Sequence, residues 1–111
     1  MTTNSRYFKE DMNGRTGIIS RAANTAASKG ILVVNAMGND GDTWWEIMGS
    51  PADADSVLTV GGIDPWTGYH TDFSSYGPTA DKRSKPNVCA FGHAMGAGPK
   101  GLHMVSGTSF A

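Results

Sequence analysis

The chain has 111 residues, 39% of them hydrophobic and 17% charged, with nine Lys and Arg against ten Asp and Glu. That length holds one core at most, and the apolar content excludes a disordered, highly charged chain. A formal net charge of −1, with basic residues clustered only at Lys82-Arg83 and Lys85, argues against a nucleic-acid face, and no apolar run approaches the length of a membrane span.

Residues 1–13 are polar and aromatic without a period and read as an irregular lead-in. From Thr16 to Lys29, Ile18, Ile19, Ala22, Ala23, Ala26 and Ala27 recur at three- and four-residue spacing, which predicts a helix. Lys29 falls in its last turn, and Gly30 is available for a left-handed cap. Ile31-Leu32-Val33-Val34 follows at once; it lacks alternation and predicts a strand buried on both faces.

A helix feeding a doubly buried strand implies an α/β architecture with a mainly parallel sheet flanked by helices, the alanine stripe packing close against it. Val57-Leu58-Thr59-Val60, ending in Gly61-Gly62, predicts a second core strand. The stretch between them, Gly38 to Ser56, is long enough to be functional or to hold further structure. Asp64 to Gly68 reads as a turn, Tyr69 to Phe73 as a short edge strand, Ser74 to Pro78 as a loop and Val88 to Phe91 as one more strand.

Open α/β sheets place ligands where a strand's carboxyl end runs into a glycine-rich loop, and Val33 through Gly41 has that form. An Asn39 amide beside such a turn could aim its NH2 group at an oxygen that gains charge; taken alone, an Asn there more often just tolerates an unusual turn conformation. Gly107-Thr108-Ser109 puts a hydroxyl after a glycine where Phe110-Ala111 could open a helix, which fits either a nucleophile or a helix cap. A nucleotide-binding domain is a weaker alternative, since the chain has neither Gly-x-Gly-x-x-Gly nor Gly-Lys-Ser/Thr. Weaker still is a Cys89 nucleophile with His93. As the only cysteine, Cys89 allows no intrachain disulfide and leaves the redox compartment open.

Taken in order, Ala36-Met37-Gly38-Asn39-Asp40-Gly41, Phe73-Ser74-Ser75-Tyr76-Gly77-Pro78 and Ser106-Gly107-Thr108-Ser109-Phe110-Ala111 resemble three signatures of the subtilisin-like serine protease family. Pro51 to Ala54, Thr59 to Asp64 and Lys85 to Val88 add to the likeness, which covers roughly residues 17–111. The resemblance implies part of a three-layer α/β peptidase domain, with residues 1–111 forming a truncated unit. It implies Ser109 as the nucleophile of a serine endopeptidase, and Asn39 with the Ser109 backbone N–H as oxyanion donors. Ala36, Met37 and Gly38 would line the pocket for the substrate side chain before the cut. The chain departs from the family pattern at Met37, where a small residue is usual, and at Lys82, Asn87 and Phe91, where Gly, Asp and Pro are frequent.

In the family an Asp and then a His, the latter followed by Gly-Thr, precede the serine; His70, His93 and His103 lack that context. We read His70 as a surface or edge-strand residue and His93 and His103 as loop residues, and Asp40, Asp42, Asp53 and Asp55 as turn or cap residues. The chain alone is therefore expected not to hydrolyse peptides, and apolar surface left by the truncation is expected to favour self-association. The likeness implies a peptide or protein substrate and a secreted or cell-envelope setting, with any signal segment outside this chain, since Met1 to Arg6 lacks an apolar core. No cofactor is expected; structural calcium is frequent in the family, but no Asp-rich loop here has a ligand pattern that assigns it, so no metal site is named.

Overall fold

In the computed structural model, residues 7–111 are described, so the first six residues of the expected lead-in lie outside it. Residues 8–12 form a single 3-10 turn over Lys9–Asp11, closed by Asp11, whose carboxylate accepts the Phe8 N–H. The predicted helix is α1, Ile18–Ser28. Its end is a Schellman cap: Gly30 takes φ +88° and donates to Ala27, while Ile31 donates to Ala26.

The face that α1 buries differs from the expectation. Ser20 is its one fully buried residue, Ala23, Ala26 and Ala27 are half-buried, and Ile18 and Ile19 are exposed. The helix is held by polar bonds to the segment after the long loop rather than by an alanine seam. Ser20 Oγ donates to Asp53, and Asn24 accepts from Ser56 N and donates to Gly14 O.

Three strands, β1 (Val34–Ala36), β2 (Leu58–Ile63) and β3 (Val88–Phe91), form a parallel sheet with β2 in the centre. Val34 pairs with Leu58, and Val60 with Val88. This is the expected α/β class, with β2 and β3 close to their predicted positions. The first strand requires correction: Ile31 and Leu32 precede the ladder, and Ile31, Leu32 and Val34 are more than half exposed instead of buried on both faces. Among the described residues β1 has only β2 beside it, so one edge and part of its apolar surface have no cover. Apolarity marked these residues as strand-like, but burial depends on neighbours the run itself cannot specify.

Two further departures follow along the chain. The segment Tyr69–Phe73 forms one bridge, His70 to Ile63, and not an edge strand. An antiparallel hairpin of β4 (His93–Gly98) and β5 (Gly101–Ser106) occupies a region read as loop, so His93 and His103 are strand residues. Gly92 N donates to Ile63 O and Gly107 N to Gly92 O, which fastens the base of the hairpin to the carboxyl end of the sheet. The core sits under that end, with Met37, Met48 and Ala52 packed together and Trp45, Ala54, Val57 and Val60 also buried.

Residues 79–87 carry two local strains. Lys82 adopts φ +67°, where an L side chain crowds its own backbone. The Lys85 ammonium is buried and donates to Val57 O, Thr59 Oγ1 and Asn87 Oδ1, all uncharged acceptors, and burial pulls its pKa below the ordinary lysine value. Nearby, the Arg83 guanidinium bonded to Asp81 holds that carboxyl at about 2. Lys82→Gly and Asn87→Asp are each expected to raise stability by about 1 kcal/mol at neutral pH, read as the urea midpoint. The Asn87→Asp gain, which needs the ionised carboxylate, should vanish as pH falls below that carboxyl's folded pKa; a gain that persists there would refute the charge argument.

Candidate active site

The three ordered signatures meet at the carboxyl end of the sheet. β1 ends at Ala36, and the ladder continues for one more bond, Met37 N to Val60 O. The chain then turns at Gly38, whose φ of +114° lies where a side chain is strained. A Cβ there would also stand 2.8 Å from Ser75 Oγ, so glycine is required on two counts.

Beyond that turn, Asn39 is fixed by Thr108. Its Oδ1 accepts the Thr108 backbone N–H at 2.8 Å and the Thr108 hydroxyl at 2.8 Å. A backbone N–H can only donate, so the amide oxygen must face Thr108 and the NH2 group must face away. Gly107 lies on that side: a Cβ added to it would be 3.4 Å from Asn39 Nδ2. Thr108 Oγ1 in turn accepts from Gly38 N at 3.2 Å, so one buried hydroxyl joins the turn after β1 to the end of the chain.

Ser109 follows directly, exposed on the single 3-10 turn Thr108–Phe110, whose Phe110 N–H closes onto Gly107 O. Thus Asn39 and Ser109, 70 positions apart in sequence, are brought to one locus through Thr108. The Phe73–Pro78 signature supports it from the other side. Gly41 N donates to Phe73 O, Ser75 N to Gly38 O, and Asp40 N to Ser75 Oγ.

Of the three residues expected to line the specificity pocket, Ala36 and Gly38 are half-buried beside this turn. Met37 is fully buried, its side chain in the core with Met48 and Ala52. Its bulk therefore acts from behind the strand rather than at the surface. Each histidine has its own setting: His93 Nδ1 is 2.7 Å from Ser106 Oγ, His70 stacks on Tyr76 at 4.4 Å, and His103 is on β5. His70 and His93 line a cleft of about 330 Å³ with Asp64, Thr67, Thr71, Asp72 and Phe73. Hydrogen bonds from Thr67 and Trp66 hold the Asp64 carboxyl below its ordinary pKa, as a turn-forming residue.

Sequence reasoning passed over Thr108 and Ser75, which sit inside the quoted motifs as apparent spacers. Short hydroxyls satisfy backbone groups at tight turns, but the partners of these two lie far away in sequence, at Asn39 and Asp40. Asp53, read as a turn or cap residue, does lie in a turn; the sequence did not show that it is fully buried there, accepting from Gly14 N and Ser20 Oγ. Among the described residues no group of three or more His, Cys, Asp or Glu could hold a metal ion, and no helix is long and apolar enough to cross a membrane.

Comparison with known proteins identifies the family. The sequence profile of the Subtilase family matches residues 2–111. The chain is 35% identical over 99 residues to an alkaline proteinase of Hapsidospora chrysogena, covering 88% of this chain and 23% of that protein. It is 32% identical over 91 residues to the epidermin leader peptide-processing serine protease EpiP of Staphylococcus epidermidis, covering 67% and 20%. The solved structure of the prenylagaramide maturation protease PagA superposes with a TM-score of 0.64 at 35% identity, covering 82% of this chain and 31% of that one. The chain thus spans between a fifth and a third of the length of these relatives, and it belongs to the Subtilase family.

Proposed function

We propose that the chain provides the nucleophile and the oxyanion-binding side of a serine endopeptidase that cleaves peptide or protein substrates by acyl transfer. The observation that carries this reading is the Asn39 amide, whose oxygen is held by Thr108, the residue before Ser109, so that its NH2 group is turned away from those two bonds. In that reaction Ser109 Oγ attacks the scissile carbonyl, and its carbon becomes tetrahedral. The charge that develops on the former carbonyl oxygen is met by Asn39 Nδ2–H and the Ser109 backbone N–H. Collapse expels the amine and leaves an acyl-enzyme, which water then hydrolyses.

The Ser109 proton needs a base. His93 is engaged with Ser106 and His70 with Tyr76, so the Asp and His of the reaction come from another part of the longer protein. The 111 residues by themselves are inactive on this reading. Exposed Ile31, Leu32 and Val34 on one side of the sheet, and Val88 and Phe91 on the other, are surfaces through which the isolated chain self-associates. Family likeness supports a secreted or cell-envelope setting for the whole protein.

A fluorophosphonate probe applied to the longer protein carrying this chain tests the reading. We expect one adduct, located by peptide mass spectrometry at Ser109 and absent in Ser109→Ala. Labelling of a different serine, or peptide hydrolysis that survives Ser109→Ala, would overturn the assignment.

A further inference from the structure

The consecutive hydroxyls of Ser74 and Ser75 are almost fully buried, yet neither touches the reacting groups. Each instead satisfies a backbone N–H, one within β2 and the other in the turn that follows β1. Ser74 Oγ accepts from Gly62 N, within β2, at 3.0 Å. Ser75 Oγ accepts from Asp40 N at 3.0 Å, and Ser75 N donates to Gly38 O at 2.9 Å. Ser75 therefore grips the peptides on both sides of Asn39, one through its carbonyl and the next through its N–H.

Thr108 holds the side chain of Asn39, and Ser75 holds its backbone. Neither contact suffices alone. The Thr108 bonds fix where the amide oxygen lies, but the direction of Nδ2 also depends on the Gly38–Asp40 backbone, and a turn with positive φ has soft alternatives unless both flanking peptides are bonded. The Cβ-free face of Gly38 lets Ser75 approach: a methyl there would stand 2.8 Å from Ser75 Oγ. The turn glycine and the buried serine thus form one fitted pair.

We propose that Ser75 is a positioning residue for the oxyanion-hole amide: it sets the backbone of Asn39 so that Nδ2 meets the developing oxyanion. This rests on the acyl-transfer reading above. Loss of the hydroxyl leaves the Asp40 N–H without its buried partner, frees the turn, and misplaces the donor without touching substrate.

The test is a double-mutant cycle in the longer protein that carries this chain, with kcat and KM measured on a peptide substrate. Ser75→Ala is expected to lower kcat by about ten- to a hundredfold with KM unchanged. In an Asn39→Ala background the same change should cost nothing further, because the donor it positions is already gone. Ser74→Ala, equally buried but bonded to β2, should lower stability while its effect on kcat, if any, is the same in both backgrounds. An equal factor for Ser75→Ala in both backgrounds, or a loss residing in KM, overturns the proposal. Should Ser75→Ala not fold, amide hydrogen exchange of the unmutated protein decides: Asp40 and Thr108 N–H must be protected together, and a freely exchanging Asp40 N–H beside a protected Thr108 refutes the clamp. If Asn39→Ala and Ser109→Ala both leave hydrolysis intact, it is the protease reading that has failed.

Discussion

Asn39→Ala is expected to lower kcat by about a hundred- to a thousandfold while KM stays within about twofold; this magnitude was established on the subtilisin oxyanion hole itself and is carried over to this chain. The asymmetry between the two constants follows from geometry. On the proposed reading, Asn39 donates mainly to the oxygen that gains charge as its carbon becomes tetrahedral, so ground-state binding gains little from it. The second donor, the Ser109 N–H, is backbone and survives the substitution, which sets a floor under the loss. Steady-state kinetics of the longer protein, with fluorophosphonate titration to count intact sites, checks this. A rise in KM at constant kcat would mean that Asn39 holds the substrate instead.

The largest expected effect on stability lies away from the chemistry. Asp53 is fully buried, and its carboxylate accepts from Gly14 N at 2.7 Å and from Ser20 Oγ; Ser20 in turn lies 2.6 Å from Ser50 Oγ. These bonds tie the segment before α1, the helix itself and the loop that leads into β2. Asp53→Ala strands a backbone N–H and a hydroxyl in a dry site, and should cost about 3 kcal/mol in a urea unfolding series. Asp53→Asn should retain part of the stability, since one amide oxygen can still accept from one of the two donors. A loss below about 1 kcal/mol for Asp53→Ala would show that the surrounding groups find water or new partners.

Where the chain's own chemistry dictates conformation, the sequence was legible. Gly30 marked the helix end because only a residue without a Cβ sits easily at its φ of +88°, the β-branched run at Val57 marked β2, and the apolar run Val88 to Phe91 marked β3. Where partners decide, it was not. The register of β1 is set by β2, which moves the ladder from Ile31–Val34 onto Val34–Ala36. The hairpin was invisible because His93-Ala94-Met95-Gly96-Ala97-Gly98 has two glycines and no β-branched residue; cross-strand pairing with Leu102 to Val105 makes it a strand. The site divides likewise. Asn39 and Ser109 stand out as parts of recurring motifs, whereas the roles of Thr108 and Ser75 exist only across gaps of 69 and 35 residues, which no local pattern reports.

Those gaps bear on the order in which the molecule assembles. Joining Asn39 to Thr108 encloses both crossovers and the hairpin, so the entropy of that closure is met only after β1, β2 and β3 have paired. Until then the serine faces no fixed donor. If the chain acts as proposed, a half-folded form would be a poor catalyst even with a base at hand, and loss of any one strand would silence the site before the chain unfolds completely. On the proposed reading, the long reach of a single threonine makes catalysis conditional on the integrity of the whole sheet.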